Sequence, residues 1–315
     1  MNLLIGALSV GLLLSLLTLG VFLTYRVLNR LDLTTDGSFG LGAAVAAALL
    51  AKGVHPVPAT LVATAAGWLA GAATGVVHTA FGVDTLLGGI LVSTALYSVQ
   101  LYIMGGGDIS LAAVNTLPDL AQQAWTALGG PHSVTLFGTS VSAANIAPLG
   151  LFVVFILGSM VLMERFLRTD LGMAVRATGD NPQMAKALGI DVGLMVTLGL
   201  VMANGLVALS GALFAQYQGF ANVQMGLGIV VVGLACLIVG EGLTGRRGPA
   251  RQITGVLVGT VVFRLLVAAA LRAGLDANAL KLVTAVFVLL ALVVPAAIRR
   301  VFRRPVRAVR PAGAA

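Results

Sequence analysis

Charged residues are scarce in this sequence and make up 10% of its 315 residues. A soluble globular domain usually carries about 25% charged residues, so the composition excludes that class. Cysteine is almost absent, and the single Cys236 excludes a disulfide within the chain. Because Cys236 lies inside an apolar run, we predict that it is a small buried side chain.

Patterns for catalysis, metal binding and nucleotide binding are also missing. The three histidines, His55, His78 and His132, are scattered and do not have the spacing of metal ligands. No serine–histidine–aspartate set or carboxylate pair stands out, and no glycine-rich loop ending in Gly-Lys-Ser or Gly-Lys-Thr is present to hold ATP phosphates. We therefore expect no metal site, no cofactor bound by this chain and no enzymatic activity of its own.

Long apolar segments dominate what is present. A run of about 18 uncharged apolar residues is enough for a candidate transmembrane helix. The chain has nine such segments, at 3–25, 37–53, 57–77, 86–104, 147–164, 194–217, 225–240, 252–272 and 279–298. The sequence therefore predicts an all-α integral membrane protein with about nine, and between eight and ten, spans. Residues 1–300 form one membrane domain, and residues 301–315 form a basic tail.

The basic residues predict the orientation of these spans. Cytoplasmic loops of membrane proteins carry an excess of lysine and arginine. With the N-terminus outside, most of the basic residues fall in inner loops, and the C-terminus is cytoplasmic. Six arginines directly follow the last apolar segment: Arg299, Arg300, Arg303, Arg304, Arg307 and Arg310. We expect them to contact anionic lipid headgroups; nucleic-acid binding would call for interleaved aromatic residues, and this tail has only Phe302.

Two short apolar segments resemble each other. Phe39 to Ala47 reads FGLGAAVAA, and Met225 to Gly233 reads MGLGIVVVG. The first follows a helix that ends inside, and the second follows a helix that ends outside. Short, glycine-interrupted segments at matching places of two oppositely oriented halves are typical of an inverted repeat, and substrate pathways tend to lie where they meet. We predict such a repeat, with short broken helices.

Polar residues border both short segments and are candidates for a substrate pathway. They are Asp32, Asp36 and Ser38 beside the first segment, and Asn222 and Gln224 beside the second. Alternatively, the two aspartates pair with Arg26 and Arg30 in the inner loop.

Two more polar groups lie within apolar segments. Asn204 in the sixth segment either links helices through hydrogen bonds or lines the pathway. Arg264 in the eighth segment must face protein or water, because a charge in the bilayer centre costs a few kcal/mol. Its candidate roles are a structural ion pair, with Glu241 as a possible partner, or attraction of an anionic group of the substrate.

Small residues form a stripe on the third segment. Gly67, Gly71 and Gly75 are spaced four apart, on one helical face. In lipid, such a face lets two helix backbones approach closely. The stripe predicts tight packing, either within the chain or at a subunit interface. A further amphipathic helix near residues 117–129, between the fourth and fifth segments, either covers the bundle or docks an external partner.

The most specific polar pattern is VRATGDNPQMAKALGID, at 175–191. Asn181 is a good N-cap, Pro182 suits the first helical position and Gly189 suits a left-handed helix stop. The pattern predicts a short helix over 182–188, with Met184, Ala185 and Leu188 on one face and Lys186 on another. A rigid apolar knob on the cytoplasmic side indicates either a docking point for a partner or a surface helix that closes a loop.

This segment resembles the coupling loop of permease subunits in ATP-binding cassette importers of the branched-chain amino acid and ribose type. The similarity extends to Asn29–Ala43, which looks like the early re-entrant segment of that family, and to Gly89–Gly105, which looks like its fourth helix. Gly226–Arg247 resembles its late pathway helix and inner loop. The resemblance covers roughly residues 3–300 in matching order.

The resemblance implies a permease subunit of an importer in a bacterial inner membrane. A separate cytoplasmic ATPase subunit would use ATP and Mg²⁺, an external solute-binding protein would deliver a small polar metabolite, and two permease chains would work as a homodimer or a paired permease. An amino acid is the favoured substrate class. The coupling loop would be 167–193, and the residues that engage the ATPase would be Asn181, Pro182, Met184, Ala185, Lys186, Leu188 and Gly189.

The alternative is a secondary transporter or channel driven by an ion gradient. Such a protein needs a carboxylate or a sodium site within the membrane. Asp36 and Glu241 lie at or near the ends of their apolar segments, which weakens this alternative.

Overall fold

The computed structural model of the chain describes residues 2–127, 129, 133–136, 139–245, 248–274, 282, 284–289 and 293. Helices dominate this part of the chain. They are α1 (Asn2–Val21), which continues as a π-helical segment (Phe22–Val27), α2 (Thr34–Ala51), α3 (Pro56–Phe81), α4 (Thr85–Ile103), α5 (Leu117–Ala127), α6 (Ala143–Arg168), α7 (Asp170–Asp180), α8 (Pro182–Ala187), α9 (Val192–Gln218), α10 (Ile229–Thr244) and α11 (Pro249–Arg272). A 3₁₀ turn spans Val223–Gly226.

Two small antiparallel pairs of strands connect the helices. The strands are β1 (Ile109–Ser110), β2 (Ser133–Leu136), β3 (Thr139–Ser142) and β4 (Phe220–Ala221). β2 pairs with β3 as a local hairpin, with Ser133 opposite Ser142. β1 pairs with β4 across more than a hundred residues, with Ile109 opposite Ala221. The second pair ties the connection after α4 to the connection after α9.

Eight helices within the described residues are long and apolar enough to cross a membrane. They coincide with the first eight predicted segments and confirm an all-α membrane protein. The ninth predicted segment, 279–298, lies largely outside the described residues, so the count of nine is not confirmed. α2 is the most buried of the eight spans and α4 the least.

Local sequence signals explain where several helices begin and end. Pro56, Pro182 and Pro249 occupy first positions of their helices, where the missing N–H group has no intrahelical acceptor to lose. Gly82 and Gly219 end α3 and α9 with φ angles of 66° and 77°. Only glycine adopts that left-handed conformation without a steric cost.

The helix packing fits the predicted inverted repeat. α3 packs against α9 as α11 packs against α1, and α2 packs against α3 as α10 packs against α11. α1 leads to the loop at 28–33, whereas α9 leads to β4 on the opposite side. Each helix of the group α1–α3 therefore runs in the opposite direction to its counterpart in the group α9–α11. α1 and α9 contact each other at the centre.

The connections lie on two opposite faces of the bundle. Residues 28–31, 84–86, 178–180 and 182 line one cavity and define what we call the α8 face. β1, β4 and the turn at Val223–Gly226 define the other, which we call the β1–β4 face. The grouping of loops matches the alternation predicted from the basic residues.

The glycine stripe of α3 packs against α9 within the chain. A methyl group on Gly71 would overlap the carbonyl oxygen of Leu200, and one on Gly67 would lie against the backbone of Asn204. Gly75 meets the side chain of Thr197 in the same way. The predicted close approach of two backbones is therefore confirmed as an intramolecular contact.

Candidate functional site

The N-termini of the two short helices meet through Asp36. Its carboxylate accepts hydrogen bonds from the backbone N–H groups of Gly228, at 3.1 Å, and Val230, at 2.9 Å. A carboxylate is favourable there because the first N–H groups of a helix lack intrahelical acceptors and carry partial positive charge. One side chain near the start of α2 thus caps α10, and the two predicted short segments are in direct contact.

Neither Arg26 nor Arg30 forms an ion pair with Asp32 or Asp36, so that alternative was wrong. Arg26 instead pairs with Glu241 at the end of α10, with 2.6 Å between Nε and Oε1. This ion pair joins α1 to α10 on the α8 face. Asp36 uses its carboxylate for the start of the same helix, so α10 is tied to the first half of the chain at both ends.

A buried hydrogen-bond network links the loop after α1 to α9. Ser38 Oγ donates to Asn204 Oδ1 at 2.7 Å, and Asn204 Nδ2 donates to Asp32 Oδ2 at 2.8 Å. The other carboxylate oxygen of Asp32 accepts from the backbone N–H of Thr34. Burial raises the pKa of Asp32, and its hydrogen bonds with Thr34 and Asn204 oppose that shift. Asn204 and Ser38 are fully buried, and the contacts of Asn204 fit a link between helices.

Asn222 and Gln224 lie on the β1–β4 face. Asn222 Nδ2 donates to both carboxylate oxygens of Asp108 at 2.8 Å, and its Oδ1 accepts from the backbone N–H of Gln224 at 2.6 Å. Asn222 therefore caps the turn at Val223–Gly226. The side chains line a cavity of about 550 Å³ beside α9 and α10, separate from the cavity that contains Asp36.

Arg264 lies in α11, where its side chain packs beside Gly11 of α1. Its buried Nε has no hydrogen-bond acceptor among the described residues. The ion pair with Glu241 that we considered for Arg264 is not formed; the Glu241 carboxylate pairs with Arg26. The seven residues considered for the pathway thus lie at four places: Asp36 at the helix junction, Asp32, Ser38 and Asn204 in the buried network, Asn222 and Gln224 on the β1–β4 face, and Arg264 in α11.

The cavity at the helix junction has a volume of about 220 Å³ and lies between α2, α4 and the turn at Val223–Gly226. Asp36 forms part of its wall, and Ser93, Thr94 and Tyr97 of α4 add three hydroxyl groups. Gln100, also in the wall, donates through Nε2 to the carbonyl of Gly37 at 2.8 Å. The cavity therefore offers one carboxylate and several hydrogen-bonding groups at the meeting point of the two halves.

Sequence reasoning missed the contribution of α4. Thr94, Tyr97 and Ser98 are exposed on the least buried span. Polar side chains at membrane depth usually face protein or water rather than lipid. The clue was in the sequence: Ser93, Thr94 and Ser98 are hydroxyl residues within an otherwise apolar run.

The predicted helix at 182–188 is present as α8, Pro182–Ala187. Asn181 Oδ1 accepts a hydrogen bond from the backbone N–H of Met184 at 3.0 Å, and Gly189 has a φ of 81°. These observations confirm the N-cap and the left-handed stop. The preceding helix α7 was not predicted as a separate element. It begins after Thr169, whose hydroxyl accepts from the N–H of Gly172.

The exposed surface of α8 differs in one residue from the prediction. Met184 and Leu188 are 61% and 68% exposed, whereas Ala185 is 1% exposed. Ala185 therefore faces the protein. The chain turns back after α8, where the N–H of Ile190 donates to the carbonyl of Ala185. The apolar knob is therefore formed by Met184 and Leu188, and Lys186 is exposed beside them.

Tight contacts connect the α7–α8 pair to the spans. A methyl group on Gly179 of α7 would overlap the carbonyl oxygen of Val27, at the end of the first span. Val175 of α7 is fully buried in the main hydrophobic cluster, together with Leu28 and Val196. A force applied to α8 would therefore reach α1 and α9 through close packing. Among the described residues, no group of three or more His, Cys, Asp or Glu side chains could hold a metal ion.

Comparisons with known proteins agree on one family. The family model described as branched-chain amino acid transport system / permease component matches residues 3–294. The tyrosine transport system permease protein of Clostridioides difficile (strain R20291) is 36% identical over 285 residues, which is 90% of this chain and 88% of that protein.

Two further relatives are more distant. An uncharacterized protein of Rickettsia prowazekii (strain Madrid E) is 31% identical over 297 residues, covering 93% of this chain and 97% of that protein. The autoinducer 2 import system permease protein LsrC of Enterobacter sp. (strain 638) is 28% identical over 236 residues, 74% of this chain and 62% of that protein. No solved structure gave a significant match.

Proposed function

The chain belongs to the family of branched-chain amino acid transport system permease components, and we propose that it forms the membrane path of an ATP-driven (ABC) importer in a bacterial inner membrane. A separate cytoplasmic ATPase subunit supplies the energy, and an external solute-binding protein delivers the substrate. The observation that carries this proposal is α8, a capped helix that presents Met184 and Leu188 to the surface and packs through α7 onto two spans.

In the proposed mechanism, α8 fits into a groove of the ATPase. Two exposed apolar side chains on a rigid helix match the way in which amphipathic helices are recognised in hydrophobic grooves. When the ATPase binds ATP and changes shape, α8 moves with it. The contact of Gly179 with Val27 passes this movement to α1, and the contacts of Val175 pass it to α9.

We propose that the substrate is an amino acid. The relative from Clostridioides difficile is named a tyrosine transport permease, so aromatic amino acids are included. The cavity at the helix junction supports this class, because the carboxylate of Asp36 can attract an ammonium group and the hydroxyls of Ser93, Thr94 and Tyr97 can bond to further polar atoms. Sugars and nucleosides are the competing substrate classes, and ligand screening of the solute-binding protein separates them.

We further propose that two permease chains pair through α4. The exposed hydroxyl residues of α4 would then face a partner subunit and the substrate path instead of lipid. The partner is a second copy of this chain or a related permease.

The test of the central proposal is a pair of charged substitutions. Met184→Asp and Leu188→Asp, made together, should weaken co-purification with the candidate ATPase from the same cell at least tenfold, because buried apolar contacts of a docking helix dominate its affinity. Gln183→Asp adds a charge at an exposed polar position of the same helix and serves as the control. Unchanged co-purification and unchanged substrate-stimulated ATP turnover in the double variant would refute the role of α8, as would solute uptake by this chain alone in vesicles without nucleotide.

A further inference from the structure

A second polar cavity lies on the α8 face, away from the helix junction. It has a volume of about 430 Å³, within the range of roughly 300–1,000 Å³ that is usual for small-molecule sites. Three separate parts of the chain form its wall: the loop after α1, the start of α4, and the junction of α7 and α8. The proposed transport function assigns no ligand to this cavity.

The cavity wall carries charges of both signs. Arg30 comes from the loop after α1, Asp84 from the start of α4 and Asp180 from the end of α7. Both salt bridges found among the described residues lie elsewhere, at Arg26–Glu241 and Glu164–Arg168. Asp84 accepts one hydrogen bond, from the backbone N–H of Leu86 at 2.9 Å. One cation and two carboxylates thus line a single cavity without neutralising each other through ion pairs.

An unused hydroxyl group also borders the cavity. Thr178 is 3% exposed, and its Oγ1 has no hydrogen-bond partner among the described residues. A buried threonine in a helix usually donates back to the carbonyl four residues earlier, as Thr18 and Thr60 do here. A buried hydroxyl without a partner is costly. The Thr178 Oγ1 has almost no accessible surface, so a ligand in the cavity bonds to it only after a rotation of the threonine side chain.

We propose that this cavity binds a small zwitterion of the amino acid class. Its carboxylate pairs with Arg30, its ammonium group pairs with Asp84 and Asp180, and the Thr178 hydroxyl completes the hydrogen bonding. Unpaired charges of both signs and a buried hydroxyl match the two charged groups of an amino acid better than they match a neutral sugar or a simple anion.

Because of where the cavity lies, a molecule bound in it affects the movement of α8. A bound molecule bridges the junction of α7 and α8 to the loop after α1 and to the start of α4, and so it resists movement of α8 relative to the spans. We expect an amino acid that accumulates on the α8 face to slow the transporter, an effect that rests on the proposed function of α8. Binding itself does not depend on that function.

Direct binding to the purified full-length chain, without an ATPase, tests the site. The probes are L-tyrosine and L-leucine, together with tyramine, which lacks the carboxylate of tyrosine, and 3-(4-hydroxyphenyl)propionate, which lacks its ammonium group. At least one of the two amino acids should bind saturably. Tyramine and the propionate should bind at least tenfold more weakly than tyrosine, because each loses one of the two charge pairs.

Variants locate the binding. Arg30→Gln should weaken amino acid binding at least tenfold. Thr178→Val should weaken it about threefold. Arg165→Gln, which removes an exposed arginine of the same face outside the cavity, should leave it unchanged. Loss of binding in Tyr97→Ala with full binding in Arg30→Gln would assign the ligand to the junction and overturn the proposal. The absence of saturable binding of either amino acid would also overturn it.

Measurements of ATP turnover in the assembled transporter distinguish a failure of this proposal from a failure of the proposed function. Amino acid added on the α8 face should inhibit ATP turnover of the unaltered complex, and Arg30→Gln should relieve that inhibition. If amino acid binding is confirmed but the Met184 and Leu188 variants still bind the ATPase and keep substrate-stimulated ATP turnover, the binding site is retained and its effect on transport is rejected.

Discussion

At the scale of single residues, hydrogen bonding decides the role of each polar group in the bundle. Asp32, Ser38 and Asn204 satisfy one another in a buried network, so they hold the loop after α1 against α9. Asp36 is different, because it caps α10 and also lines a cavity. The sequence could identify these side chains as unusual, since polar residues beside apolar segments need a partner. It could not tell which partner each one has, because the partners are up to 194 residues away.

Asn204→Ala should destabilise the protein clearly. The substitution removes the donor to Asp32 and the acceptor of Ser38, and leaves a buried carboxylate oxygen without its partner. We expect a loss of about 2 kcal/mol or more, since an unsatisfied buried polar group costs roughly 1–3 kcal/mol and a charged one more. Thermal denaturation in detergent measures this. Asn115→Ala is the control, because Asn115 is exposed; equal midpoints for the two variants would contradict the structural role of Asn204.

Among helices and loops, the sequence predicted the elements that have strong local signals and missed those with weak ones. The boundaries of α8 follow from Asn181, Pro182 and Gly189, each of which acts on its own few neighbours. α7 escaped notice because Gly172 and Gly179 within it disfavour a helix by about 1 kcal/mol each. Those glycines fit contacts with the carbonyls of Phe166 and Val27, which are a property of the folded chain. The burial of Ala185 was missed for the same reason.

Packing between α3 and α9 gives a prediction at this scale. Gly71→Leu should prevent correct packing, because the added side chain meets the backbone of Leu200 and Val201 and overpacking alone costs about 1–3 kcal/mol or more. Gly158→Leu is the matched control, since Gly158 of α6 is exposed and a side chain there meets nothing within 4 Å. Size-exclusion chromatography of the two variants is the measurement. We expect aggregation or loss of protein only for Gly71→Leu; a monodisperse Gly71→Leu protein would show that the close contact is dispensable.

For the whole molecule, the sequence indicated the membrane class and an inverted repeat from apolar length and two similar glycine-containing segments. The structure adds how the halves cross: α3 on α9, and α11 on α1. It also adds the pairing of β1 with β4. Two-residue strands carry no recognisable pattern, and their register is set by the helices around them. Such features could not have been predicted from one sequence.

Pairing of two chains gives a prediction at the scale of the assembly. In native membranes, Ser98→Cys should form a disulfide-linked dimer under mild oxidation, because Ser98 lies on the exposed face of α4. Leu162→Cys, on an exposed face of α6, should remain monomeric. The native Cys236 is buried and does not interfere. Gel electrophoresis without reductant measures the dimer; equal cross-linking of both variants, or of neither, would argue against a pair of two identical chains formed through α4.

Two hydrogen bonds of Asp36, from the N–H groups of Gly228 and Val230, hold the two halves together at the helix junction. If α2 and α10 part, two amide groups at a helix start lose their acceptor, at a cost of about 1–3 kcal/mol unless water or a solute replaces it. A preference of that size shifts two conformations by roughly 5- to 150-fold. The closed contact at the helix junction is then favoured, but weakly enough to open. A solute carboxylate that accepts hydrogen bonds from the two freed N–H groups would stabilise the open conformation.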